Sequence, residues 1–255
     1  MTVREVYDYI DSIAPFNTAV HDNVGLLTGS MDFEITGICT CLDITNAIID
    51  EAVKKNANLI ISHHPVIFDP LKSVCPPSPV YKLVQNNISA IAMHTNFDMA
   101  ENGVGDALIE LLGFTATGAD LEPVHPDGLG FGSVCDLDFA FTPKALAEHC
   151  KNALDLGGVR YTPIEKEIKR VAVCSGSGGS TMHLAIARGC DALITGDIKH
   201  NVWIDAINSN FVLIDAGHFG TEKCSTHRIA ALLSKHFKEV PIFAADNDTE
   251  PCGYV

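Results

Sequence analysis

Residues 38–64 lie over residues 171–197 without a gap, and this internal repeat restricts the chain to folds built from two related halves. In the overlay Cys41 falls on Cys174, Ala52 on Ala185, and "NLIIS" from Asn58 on "DALIT" from Asp191, while His63-His64 falls on Gly196-Asp197. The next segments also correspond: "ISAIAMHTNFD" and "FVLIDAGHFGTE" each pass from an apolar run into a polar cluster and a helical pattern. Strand, helix, strand, polar cluster, strand, polar cluster therefore occurs twice. Short apolar runs alternating with amphipathic segments specify an α/β chain with mainly parallel sheets. The expected organisation is two similar α/β halves, residues 1–118 and 119–255.

Local patterns supply the elements. In "TVREVYDYIDSIA", Thr2 and Glu5 have capping-box spacing and Val3, Val6, Ile10 and Ile13 recur at helical intervals. "EITGICTCLDIT" reads as a strand ending in a helix cap at Thr45, "NAIIDEAVKKN" as an amphipathic helix, and "ANLIIS" and "ISAIAM" as buried strands. In "GSVCDLDFAF", Cys135, Leu137, Phe139 and Phe141 alternate with Asp136, Asp138 and Ala140, which predicts a strand with one wet face. "TPKALAEHCKNAL" then offers Thr142 as cap and Pro143 at the first helical position.

The formal charge of −15 argues against nucleic-acid binding, which depends on Lys and Arg neutralising phosphates. It also means that an anionic substrate needs a local positive centre, for which a bound cation is suited. The N-terminal stretch carries early charges and lacks the apolar core of a signal peptide. No run approaches the roughly 20 apolar residues of a membrane span. The nine cysteines form no CxxC pair, a usage that fits a reducing, cytoplasmic setting.

In parallel α/β sheets ligands gather outside the carboxyl ends of strands. Polar clusters stand at such ends: "SHHP" with His63 and His64, "MHTNFD" with His94 and Asp98, "TGDIKHN" with Asp197, Lys199 and His200, and "DAGHFGTE" with Asp215, His218 and Glu222. His218 and Glu222 are four apart, so a helix beginning there projects both from one face. Imidazole together with carboxylate suits zinc, iron or manganese better than magnesium or calcium. Pro65 bends the chain directly after His63 and His64, and the reading is that the two rings diverge to serve two cations. Two metals roughly 3.5–4 Å apart form a clamp for hydrolysis, with Glu222 as the candidate bridge. The Gly-rich "CSGSGGST" is equally a phosphate cradle or a tight structural turn. No Gly-x-Ser-x-Gly elbow occurs. His125, His149, His183, His227 and His236 read as ordinary surface or packing residues.

"HDNVGLLTG", "ISHHPVIF", "HTNFDMAENGVGDAL", "CSGSGGS", "ALITGDIKHN" and "DAGHFGTE", in that order, resemble the motifs of the Nif-three-like proteins, also called GTP cyclohydrolase 1 type 2 homologues. The resemblance spans about Asp22 to Glu222. It implies a dinuclear metal centre between two similar α/β halves and a toroidal homohexamer. The implied metal ligands fall on His63, His64, Asp98, His218 and Glu222, the set favoured by the residues themselves. His94 falls beside them as an orienting group. The lysine motif departs from the family pattern, ending in His200-Asn201 rather than two histidines, and Phe131 replaces a basic residue in "GLGFGSV".

The expected function is that of a hydrolase using two divalent transition metal ions per chain on a nucleotide-like small molecule. The family name implies GTP converted to formate and dihydroneopterin triphosphate, with His94, Lys199 and His200 as proton carriers. Two alternatives use the same ligands: a non-catalytic metal-binding or interaction hexamer, and a metal-dependent phosphoesterase.

Overall fold

The computed structural model describes residues 1–124 and 129–255; His125 lies outside the described residues. The chain forms two compact units, Met1–Gly103 with Lys223–Thr249 and Val104–Glu222 with Glu250–Val255.

The first unit opens with α1 (Val3–Ile13), whose Val3, Val6 and Ile10 are buried at the expected spacing. The Glu5 carboxylate accepts the Thr2 N–H at 2.6 Å and its hydroxyl at 3.1 Å. β1 (Gly25–Thr28), β2 (Ile38–Cys41), α2 (Asn46–Lys54), β3 (Leu59–Ser62), α3 (Pro79–Gln85), β4 (Ser89–Ala92) and α4 (Thr95–Asp98) follow. The Thr45 hydroxyl accepts the Ile48 N–H at 3.3 Å and starts α2. β2, β3 and β4 are four-residue runs buried at every position, as parallel strands covered on both faces must be. They pair in parallel, Ile38 opposite Leu59 and Leu59 opposite Ser89.

In the second unit come α5 (Val104–Leu112), β5 (Ala116–Pro123), β6 (Gly130–Phe141), α6 (Pro143–Ala153), β7 (Arg160–Tyr161) and β8 (Ile168–Val173). After these are α7 (Met182–Ala187), β9 (Ala192–Thr195), α8 (His200–Asn208), β10 (Val212–Asp215) and α9 (His218–Glu222). The strand order is β5-β6-β8-β9-β10-β7. β8, β9 and β10 are parallel. β5, β6 and β7 flank them in antiparallel pairs, so this sheet is mixed. Its Val171–Ala192 pairing has the same 21-residue offset as Ile38–Leu59 in the first sheet.

α10 (Cys224–His236) and β11 (Ile242–Ala244) return to the first unit, where β11 pairs in parallel with β2 and completes the order β1-β4-β3-β2-β11.

The alternation expected in "GSVCDLDFAF" holds only in part. Cys135 is fully buried, but Phe139 is 65% exposed. The β6–β8 ladder is regular as far as Asp136 opposite Arg170 and resumes only at Phe141 opposite Ile168. Between those points the ladder shifts register, and the exposed Phe139 ring packs on Phe141 at 4.9 Å. The nine cysteines are all free. Among the described residues no helix is long and apolar enough to cross a membrane.

Candidate metal centre

β3 and β4 are parallel neighbours with Ser62 opposite Ala92. The residues that follow them therefore emerge at one edge, which brings His63 and His64 to His94. His63 is fully buried, with Nδ1 2.8 Å from the Met93 carbonyl. His64 Nδ1 lies 2.9 Å from Asp43 Oδ1, and His94 Nδ1 2.8 Å from Asp22 Oδ2. An acceptor at each Nδ1 selects the tautomer with the proton there, which leaves the Nε2 lone pair as the donor. This is the usual orientation of a metal-binding imidazole.

The rings of His63 and His64 are tilted by 45° to each other. Their centroids are 5.1 Å apart, and each is within 5.4 Å of His94. One ligand atom from each of the three histidines lies within 4.8 Å of the others. Asp98, at the end of α4 and four residues after His94, brings Oδ1 to 3.6 Å from His63 Nε2.

Asp22 escaped the sequence reading as a functional residue. Its side chain is 1% exposed and accepts the Thr95 N–H at 3.1 Å and the Thr95 hydroxyl at 2.7 Å. Burial by itself pushes its pKa up, but the bonds from His94 and Thr95 prevail and hold the carboxyl well below the usual carboxylate range. Its place in "HDNVGLLTG" is the one available signal, since a loop residue has no periodicity to mark it.

In the second unit, β9 and β10 are parallel with Thr195 opposite Asp215. This places the turn at Asp197 beside α9, where His218 Nδ1 is 2.8 Å from Asp197 Oδ2. One helical turn on, Glu222 Oε2 is 3.0 Å from His218 Nε2, and the Glu222 side chain is 5% exposed.

The Gly-rich turn supports this pair. The Gly176 N–H donates to Thr221 Oγ1 at 2.9 Å and the Gly178 N–H to Thr195 Oγ1 at 2.8 Å. Those two groups are thus engaged by threonine hydroxyls, which favours the structural reading of the turn over the phosphate cradle. Gly176 has φ +59°, and a Cβ on it would stand 2.1 Å from Glu222 Oε1.

Lys199 is the cap residue of α8 and His200 its first residue, and both are exposed. His149 Nε2 donates to the Leu112 carbonyl and its ring stacks on Phe114, and His236 stacks on Tyr9, as packing residues do.

Each unit thus presents imidazole and carboxylate together at the carboxyl ends of parallel strands. Such a donor set fits a borderline divalent ion, zinc, iron or manganese, better than one that prefers oxygen alone.

A family model described as Duf34/NIF3 (NGG1p interacting factor 3) matches residues 1–251. The chain is 33% identical over 264 residues to the GTP cyclohydrolase 1 type 2 homolog of Clostridium acetobutylicum, covering 98% of each sequence. Among solved structures it is similar to Staphylococcus aureus protein SA1388, with a TM-score of 0.92, 29% identity, and coverage of 100% of this chain and 99% of that one. A Bacillus cereus protein related to NIF3 shares the fold, with a TM-score of 0.93 at 23% identity over 100% and 99% of the two chains.

Proposed function

The chain belongs to the Duf34/NIF3 family, and from that premise we propose that it is a hydrolase dependent on two divalent transition metal ions, acting on a nucleotide-like substrate. The carrying observation is the group of His63, His64 and His94, each with Nδ1 engaged by an oxygen acceptor and ligand atoms within 4.8 Å of one another. The proposed ligands are His63, His64, Asp98, His218 and Glu222, the metal being zinc, iron or manganese. A divalent cation bound by these residues supplies Lewis acidity, polarising a substrate oxygen and acidifying water.

The protein's own groups do the rest. Asp22 holds the His94 ring so that its Nε2 can take and return a proton, and burial of His63 and Glu222 keeps their donor atoms in place. Lys199 and His200, exposed at the head of α8, are the proposed proton carriers to solvent.

The name of the Clostridium acetobutylicum relative supports a purine nucleotide as the substrate class. On this reading water opens the imidazole ring of GTP and its carbon leaves as formate, after which the ribose rearranges and its carbonyl condenses with the freed amine, returning one water, to give dihydroneopterin triphosphate. The proposal extends to a homohexamer, read from the resemblance and tested by sedimentation.

The deciding experiment loads the purified chain with zinc, iron(II) or manganese and screens nucleotides, following formate and phosphate release separately. Formate release from GTP supports the proposed reaction. Phosphate release alone replaces it with phosphoester hydrolysis, and absence of turnover by fully loaded protein overturns the hydrolase reading.

A further inference from the structure

β7 is only two residues long, and its antiparallel pairing with β10 places Arg160 opposite Asp215. Asp215, at the carboxyl end of β10, has a side chain 3% exposed; it accepts the Gly217 N–H at 3.1 Å and pairs with the Arg160 guanidinium. The Arg160 side chain is 68% exposed, and its guanidinium lies 5.6 Å from the centroid of the Trp203 ring. Trp203 is part-buried on α8, three residues after His200, so the two share a helix face.

The buried Asp215 restrains one edge of a planar group that has five N–H donors, while the outer edge faces solvent. The Arg160 Cζ stands over the face of the Trp203 ring, a cation–π contact. The guanidinium is thereby pre-organised, and little rotamer freedom remains to be lost when a ligand arrives. A structural strut would be served as well by a buried or shorter cation. An exposed fork is the donor suited to bidentate contact with phosphate. Its position is notable in a chain of formal charge −15: Asp215, the residue it pairs with, is three residues before His218.

We propose that Arg160, backed by Trp203, is a binding subsite for the phosphate groups of the substrate, donating from the side of the guanidinium turned away from Asp215. This rests on the nucleotide-like substrate class proposed above.

Trp203 is the chain's single tryptophan, so tryptophan emission, excited at the red edge where the five tyrosines do not absorb, reports on this place alone. The full chain is titrated with inorganic pyrophosphate in the presence of a chelator, which removes phosphate binding by metal. The expected result is a saturable change in emission whose Kd rises at least tenfold in Arg160→Gln. Absence of a saturable change, or an equal Kd in the variant, overturns the subsite. If Arg160→Gln does not fold, Arg160→Lys carries the comparison: it keeps the cation beside Asp215 and loses the fork, and should bind at least threefold more weakly; equal binding overturns the subsite. Pyrophosphate binding through Arg160 without nucleotide turnover retains the subsite and removes the hydrolase reading. Turnover with KM unchanged in Arg160→Gln does the reverse.

Discussion

His94 Nδ1 stands 2.8 Å from the Oδ2 of Asp22, a carboxylate 72 positions earlier whose side chain is 1% exposed. The same carboxylate receives two bonds from Thr95. Asp22 thus sets both the start of α4 and the tautomer of the residue before it, and with them the position of Asp98 at the far end of that helix.

Asp22→Asn retains the shape, but the Thr95 N–H, the Thr95 hydroxyl and His94 Nδ1 all meet the single oxygen Oδ2, so the neutral amide either keeps these contacts without the charge or turns its NH2 to that place and loses them. Metal affinity, read by competition with a chromophoric chelator, should fall by about 10–100-fold, the usual effect of losing an outer group that orients a metal centre, here through His94 and through the helix that carries the proposed ligand Asp98. Unchanged affinity would remove His94 from the centre.

Gly176→Ala tests the wall behind Glu222. At φ +59° an alanine costs roughly 1–2 kcal/mol, and its Cβ would collide with Glu222 Oε1. Gly189→Ala is the control, with φ +71° and nothing within 4 Å of the added carbon. Both variants should lose stability in denaturant melts, whereas only Gly176→Ala should lose bound metal. Equal metal content in the two would show that Glu222 does not need that space.

The strand ends were legible because their physics is local. Four-residue apolar runs such as Leu59–Ser62 are buried on both faces, and the polar residues after them have nowhere to go but the sheet edge. His63, His64, His94 and His218 could therefore be placed from spacing alone. What could not be read depends on partners distant in the chain. Asp22 meets Thr95 across 73 positions, and β11 finds β2 with Ile242 opposite Ile38. Phe139 was misplaced for the same reason: alternation marks a strand, but only the β8 ladder decides where its register shifts. The role of Gly176 is likewise invisible until Glu222 is seen against it.

Metal removal should be felt in stability as well as chemistry. A ligand that binds only the folded chain stabilises it by about 2.7 kcal/mol at a hundredfold excess over its Kd, and in a chain of this size each kcal/mol shifts Tm by about 2–4 °C. A strong chelator should therefore lower Tm by roughly 5–10 °C, with recovery on adding zinc, iron(II) or manganese. Superimposable melts with and without chelator would contradict occupancy of the donor sets.

Glu51 sets an acid limit on the first unit that does not involve the metal residues. Its side chain, 4% exposed, accepts the Asp246 N–H at 2.9 Å, the Asn247 N–H at 3.0 Å, Asn247 Nδ2 at 2.8 Å and Lys55 Nζ at 2.7 Å. Burial pushes its pKa up, but these bonds prevail and bring it from the ordinary 4.5 down to about 2. A folded-state pKa below the unfolded one gives stability that is complete above about 4.5 and is lost as the pH falls through about 2. Glu51→Gln should cost roughly 2–3 kcal/mol at pH 7. The loss should shrink across that acid window, because the variant has no carboxylate to protonate. Urea melts of both proteins at pH 7, 4 and 2.5 check this directly. A constant difference at all three values would show that the Asp246–Asn247 turn is held by shape rather than by the Glu51 charge.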